Sequence, residues 1–147
     1  METLDVATAQ AENGIRRTLA EYCLLADDGQ FAAWSQVFAT DAVLKGNGQV
    51  ATVGRAAILD WITNAIPSRS GGKHITVNSF IQVSGEAATV SSDFFYLAPV
   101  EDGPVLGCAG RYLDKFALED GRWRIAERDI VIPPGWVRAS VWAAKAE

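Results

Sequence analysis

Apolar positions recur along the chain with two different periods, and the change from one to the other comes near His74. Upstream of it, Ile15, Leu19, Tyr22, Cys23 and Ala26 share one helical face, with Arg16, Arg17 and Glu21 between them. This spacing predicts an amphipathic helix near residues 12–28, closed at Asp27-Asp28-Gly29 because glycine takes the left-handed conformation that ends a helix. Phe31, Trp34 and Phe38, spaced by three and four, predict a shorter second helix over 31–38. A third is predicted over 55–66, after Gly54, with Ile58, Ile62, Ala65 and Ile66 as its stripe, Leu59 and Trp61 beside it, and Pro67 as its stop. Between the second and third, Ala42–Lys45 and Gln49–Thr52 flank Gly46-Asn47-Gly48, whose Asn-Gly pair suits the positive φ angles of a tight hairpin. Gly46-x-Gly48 lacks the third glycine and the following helix of a nucleotide loop, so the hairpin is preferred.

Downstream of His74 the pattern is β-rich, with segments near 75–83, 87–97, 107–118 and 123–132. Their separators, Ser84-Gly85-Glu86, Glu101-Asp102-Gly103-Pro104 and Glu119-Asp120-Gly121, carry hairpin-turn chemistry. Strands joined by short turns are antiparallel neighbours, so helices followed by such a sheet define an α+β class rather than a doubly wound one. The 147 residues suit one hydrophobic core, and a single domain over 1–147 is expected, with 133–147 as a C-terminal tail.

Composition narrows the partners. Thirteen Lys and Arg against eighteen Asp and Glu leave a formal net charge of −5, which argues against nucleic acid. No apolar run reaches the ~18 residues of a membrane span, and METLDVATAQAENGIRR lacks the basic start and apolar stretch of a signal peptide. A soluble, cytoplasmic protein is expected. Cys23 and Cys108 belong to no CxxC and read as buried fillers. One histidine and no HExxH argue against a metal site, there is no GxSxG for a serine nucleophile, and no cofactor is expected.

Several local motifs occur in a telling order: Tyr22-x-x-x-x-Asp27, Val37-Phe38-Ala39-Thr40-Asp41-Ala42, Gly54-x-x-x-Ile58, His74-x-x-x-Asn78, Gly110-Arg111-Tyr112-x-Asp114 and Asp120-Gly121-Arg122-Trp123-Arg124-Ile125-x-x-Arg128. In this order the chain, from about Ile15 to about Ile132, resembles the SnoaL-like, scytalone dehydratase-like branch of the NTF2-like superfamily. The resemblance implies an NTF2-like cone, three N-terminal helices packed on a strongly curved, mainly antiparallel sheet, with a pocket between the layers. It also implies an acid/base pair of an Asp at the end of the first helix and a His on the sheet, positions matched here by Asp27 and His74. Two departures stand out. The tyrosine that precedes the Asp in the relatives is Ala26 here, and their second catalytic histidine has no counterpart, which argues against scytalone itself as substrate. The superfamily hosts dehydratases, isomerases, cyclases, hydrolases and proteins without catalysis, so the resemblance is more specific for fold than for activity.

His74 is the natural general base, and an Asp27 carboxylate on its other ring nitrogen would fix the tautomer; the two are expected to meet inside the largest pocket. The competing reading is a histidine satisfied by a turn. Alternation puts His74, Thr76, Asn78, Phe80 and Gln82 on one strand face, a candidate pocket wall. Tyr22 stands about 140° around the helix from Asp27 and either reaches the pocket by its length or packs in the core. Asp93 is expected in a structural ion pair with Arg111 or Arg128, and Arg124 and Arg128, four apart, are expected on one face.

The leading expectation is a cofactor-free dehydratase or isomerase, that is a lyase- or isomerase-type enzyme, acting on a small apolar cyclic or aromatic carbonyl compound. His74 would take a proton, Asp27 would orient it, and Tyr112, Tyr22 or Asn78 would polarise the oxygen, within an apolar wall of Trp34, Phe38, Trp61, Phe94 and Phe95. The alternative is a non-catalytic small-ligand-binding or assembly module of the same fold. Apolar residues on both sheet faces, with Trp136 and Trp142 in the tail, lead to the expectation of a homodimer or higher homo-oligomer.

Overall fold

The computed structural model describes residues 5–65 and 71–139. Expectations at Ile66, Pro67, Trp142 and the end of the tail lie outside the described residues. The elements run α1 (Val6–Asp27), α2 (Phe31–Ser35), β1 (Phe38–Gly46), β2 (Gln49–Val53), α3 (Arg55–Ala65), β3 (Lys73–Ser84), β4 (Ala87–Ala98), β5 (Val105–Glu119) and β6 (Arg122–Val131). The strands form one curved, unclosed six-stranded sheet in the order β2-β1-β6-β5-β4-β3. Only β1 with β6 is parallel; the other four pairings are antiparallel.

Ile15, Leu19, Tyr22 and Cys23 of α1 are buried, as the helical spacing requires. Two helix boundaries differ from the sequence expectation. The first helix begins at Val6, because the Asp5 carboxylate accepts from the Thr8 backbone N–H at 2.6 Å and caps a stretch with no apolar stripe of its own. The second ends at Ser35, because Phe38 is taken into β1, where it faces Ile125 of β6 in parallel register.

Alternation along β4 is unbroken: Ala88, Val90, Ser92, Phe94, Tyr96 and Ala98 are buried on the helix-facing side. Two strands break it. Val77 pairs with Asp93 but Phe80 pairs with Ser91, so β3 carries one extra residue there, and Asn78 has a left-handed φ of 53°. In β6, Ile125 pairs with Phe116 and Glu127 with Lys115, leaving Ala126 as the extra residue. The core joins α1, α2, α3 and the concave face of the sheet around Trp34, Phe38, Ile58, Tyr112, Phe116 and Ile125. No helix among the described residues is long and apolar enough to cross a membrane.

Candidate functional site

Asp27 is the last residue of α1, and its position is set by how that helix stops. The Gly29 N–H donates to the Ala26 carbonyl and the Gln30 N–H to the Leu25 carbonyl, the paired bonds of a Schellman motif, with Gly29 at a φ of 69°. Opposite it, β3 begins at the sheet edge. Gly72, just before it, is packed against Tyr96, where a Cβ would lie 1.9 Å from the phenol oxygen. His74, the cross-strand partner of Tyr96, stacks at a tilt on that ring with centroids 4.6 Å apart.

The two ends meet. Asp27 Oδ1 lies 2.6 Å from His74 Nδ1, and the same carboxylate accepts the His74 backbone N–H at 3.1 and 3.0 Å. With an acceptor on Nδ1, that nitrogen carries the proton in the neutral ring and Nε2 is left as the lone-pair nitrogen. The Asp27 side chain is 4% exposed and the His74 side chain 25%. The pair borders a cavity of about 230 Å³ between the helices and the sheet. That lies below the ~300 Å³ at the lower end of drug-sized sites, so the space suits a small molecule. Its wall is mostly apolar or aromatic, including Phe31, Trp34, Trp61, Ile62, Phe94 and Ile130.

Behind this wall is a stack of rings and charge. Tyr112 lies flat on Phe94, centroids 4.1 Å apart and 3° between planes. The Arg128 guanidinium carbon is 3.8 Å from the Tyr112 ring centroid and 4.1 Å from that of Tyr22. Arg128 Nε and Nη2 each donate to the Asp114 carboxylate at 2.8 Å, and both side chains have no exposure. Burial works against the Arg128 charge, but the adjacent Asp114 carboxylate more than restores it; burial likewise raises the Asp114 carboxyl, and Arg128 opposes that rise. Burial raises the phenols of Tyr22 and Tyr112 above their ordinary range, so both remain proton donors, while the Arg128 charge pulls each the other way.

The structure thus brings together around one cavity Asp27, His74, Tyr22, Tyr112, Trp34, Trp61 and Phe94. Tyr22 both packs in the core and reaches the cavity. Three expected wall residues lie elsewhere. Asn78 is exposed and donates to Asp93 at 3.2 Å, because its left-handed bulge turns it out of the strand's alternation. Phe95 follows the intact alternation of β4 to the outer face, beside Arg111 and Trp136. Phe38 is wholly buried one layer back, edge-on to Trp34 at 4.9 Å. Nor is this the largest depression: one of about 600 Å³ lies on the outer face at Phe95 and Trp136, and the His74 cavity is the more enclosed.

Asp93 pairs with Arg111 at 2.7 Å on the surface, not with Arg128. The expectation that Arg124 and Arg128 share a face is overturned by the β6 bulge. Arg128 points into the core, while Arg124 reaches the Gln36 carbonyl outside it. Sequence reasoning missed Tyr96, Ile130 and Ile132 as cavity residues and Asp114 as the partner of Arg128. The signal for Asp114 was a carboxylate at an inward β5 position two residues from Tyr112. Cys23 and Cys108 are both buried, and burial raises the Cys23 thiol. No group of three His, Cys, Asp or Glu side chains suited to a metal ion occurs among the described residues.

Comparison with known proteins places this geometry. Among curated proteins none matches the chain. Among solved structures, a protein of unknown function from Mycobacterium tuberculosis superposes with a TM-score of 0.80 at 23% identity, over 98% of this chain and 84% of that one. An NTF2-like protein with a cystatin-like fold from Novosphingobium aromaticivorans gives 0.76 at 22%, over 97% and 99%. A protein from the same organism, described as a suspected scytalone dehydratase, gives 0.71 at 22%, over 85% of each chain. These likenesses concern the fold. The sequence profile of the SnoaL-like domain matches residues 7–129, nearly the whole of the described fold, and the chain belongs to the SnoaL-like domain family.

Proposed function

We propose that the protein is a cofactor-free dehydratase or isomerase for a small, largely apolar, cyclic or aromatic carbonyl compound. The observation that carries this reading is the 2.6 Å contact of His74 Nδ1 with a nearly buried Asp27 at the edge of an apolar cavity. In the proposed step Nε2 of His74 removes a proton from the carbon next to the carbonyl, and the Asp27 carboxylate stabilises the imidazolium that forms. Charge developing on the carbonyl oxygen is met by the phenol of Tyr22 or Tyr112, both kept protonated by burial. Loss of a β-hydroxyl completes a dehydration, and return of the proton at another carbon completes an isomerisation. Asn78 has no part in this version, since it stands outside the cavity.

One observation favours a second reading, a ligand-binding or assembly module without catalysis. Asp27 also holds the His74 backbone N–H, so the pair has a structural use in fastening α1 to the edge strand. Proton exchange separates the two. A panel of cyclic ketones and hydroxyketones is incubated with the protein in deuterium oxide, and exchange at the acidic C–H positions is followed by NMR. Exchange by wild type that His74→Gln abolishes while ligand binding persists is the expected result. Binding without exchange by wild type supports the module and refutes the enzyme.

A further inference from the structure

The proposed chemistry leaves one feature unused: an arginine with no solvent exposure, one layer behind the cavity, packed against both of the tyrosines whose rings line it. As a fastener between β5 and β6 it is poorly explained. A buried ion pair is commonly no more stabilising than well-packed apolar residues of the same volume. Here two guanidinium nitrogens are satisfied by Asp114, but the third, Nη1, is buried with no hydrogen-bond partner, which adds a desolvation cost that a fastener would avoid.

The arrangement has a direction. Asp114 grips the Nε and Nη2 edge of the guanidinium, while its central carbon lies 4.1 and 3.8 Å from the ring centroids of Tyr22 and Tyr112. The cation is therefore in contact with both cavity phenols, and the carboxylate that balances it is held along a different edge. In a water-poor interior such a fixed charge acts over several ångströms with little screening and does not have to reorganise when negative charge appears nearby.

We propose that Arg128 is an electrostatic positioning residue, acting through Tyr22 and Tyr112 to make the cavity prefer ligands that carry or develop negative charge on oxygen: phenols, enols and the enolates formed from them. This rests on the reading of the two tyrosines as the donors that face the ligand oxygen. The two rings also meet each other edge to face, with centroids 5.8 Å apart, and the guanidinium sits in the corner they form. On binding, a phenol O–H bond breaks, the oxygen keeps the electron pair beneath the tyrosine hydroxyls, and the proton passes to Nε2 of His74.

The test uses 4-nitrophenol, a single ring of suitable size whose absorption distinguishes phenol from phenolate. Wild type is expected to bind the phenolate about tenfold or more tighter than the phenol, equivalent to lowering the apparent pKa of the bound dye by a unit or more. The double variant Asp114→Asn/Arg128→Gln removes both charges and keeps hydrogen-bonding groups in their place. It should fold with an unchanged circular dichroism spectrum and lose that preference to within about twofold. Arg128→Lys, which keeps the charge and loses the flat stacking, should retain part of it. If the double variant does not fold, Asp114→Leu/Arg128→Met, which also removes both charges and keeps the volume, carries the test, since an undiminished phenolate preference there would refute the proposal. Absence of binding, or binding unaffected by Tyr22→Phe and Tyr112→Phe, overturns the proposed function and this inference together. Binding that the phenylalanine variants weaken, with a phenolate preference that survives in the folded double variant, overturns the role of Arg128 alone.

Discussion

Replacing Asp27 by asparagine should invert the tautomer of His74, and the reasoning is geometric. The carboxylate accepts two different donors, the His74 backbone N–H and the ring Nδ1–H. Asparagine keeps the shape but offers one acceptor oxygen and one NH2 group. Its carbonyl goes to the backbone N–H, which cannot change its protonation, and its NH2 then faces Nδ1. Two donors cannot share that contact, so the ring proton moves to Nε2, the nitrogen meant to act as base. A hydrogen bond to a charged group contributes about 1.5–3 kcal/mol, which at 1.36 kcal/mol per tenfold is a change of roughly 10- to 150-fold in the tautomer ratio. The shielding of Asp27, 4% exposed, favours the upper part of that range. Only one histidine is present in the chain, so long-range proton–nitrogen NMR spectra of the imidazole need no assignment. At a pH where the ring is neutral, wild type should show a protonated Nδ1 and a bare Nε2, and Asp27→Asn the reverse. A wild-type ring protonated at Nε2, or an unchanged pattern in the variant, would refute both the orienting role of Asp27 and the use of Nε2 as base.

Gly110→Ala should destabilise the fold by about 3 kcal/mol in urea denaturation, the upper end for overpacking, because the new Cβ would lie 2.2 Å from the Val131 carbonyl oxygen, a backbone atom with nowhere to go; a loss below about 1 kcal/mol would mean that the β5–β6 contact yields easily. Tyrosinate absorbance, compared among wild type, Tyr22→Phe and Tyr112→Phe, should show both phenols ionising above the ordinary ~10. Since the unfolded chain then gives up these protons before the folded one, stability should fall as pH rises past ~10, and a flat profile there would contradict their burial. Phe80, Leu113 and Trp136 are 64, 46 and 56% exposed, and the first two share the outer sheet face. We expect a homodimer or higher homo-oligomer through that face, and sedimentation equilibrium at micromolar concentration giving only a 15.8 kDa species would exclude it.

What the sequence made legible follows from which interactions are local. The stripe of α1, the Gly29 stop and the Asn47-Gly48 turn, with φ of 48° and 80°, are each set by residues a few positions apart. The position of Asp27 at the helix end and His74 at the start of a strand was legible for the same reason, with the motif order supplying the expectation that they meet. Phe38 was misplaced because its spacing from Trp34 is helical while its fate is decided by Ile125, its parallel partner far along the chain. The start of α1 was missed because Val6 is 74% exposed and a capped polar turn leaves no apolar signature.

The bulges are where local reading of the site fails, since a strand side chain faces the cavity or the solvent according to parity, and one extra residue inverts every assignment downstream. With unbroken alternation, Trp123 and Ile125 facing inward would carry Glu127, Asp129 and Val131 in after them. The extra residue at Ala126 instead turns Arg128, Ile130 and Ile132 inward, placing two apolar residues in the cavity wall and the guanidinium behind the tyrosines. In β3 the bulge at Asn78 has the opposite use: His74 and Thr76 face α1 before it, Ile81 and Val83 pack on the core after it, and Phe80 is turned outward. Nothing in Ala126 or Asn78 announces a bulge, because each is fixed by pairing with residues ten or more positions away, Phe116 and Lys115 for one, Asp93 and Ser91 for the other. The polar groups that define the site therefore depend on strand register as much as on residue type. Unbroken alternation in β6 would turn Glu127, Asp129 and Val131 inward in place of Arg128, Ile130 and Ile132, exchanging a cation and two apolar wall residues for two carboxylates and a valine.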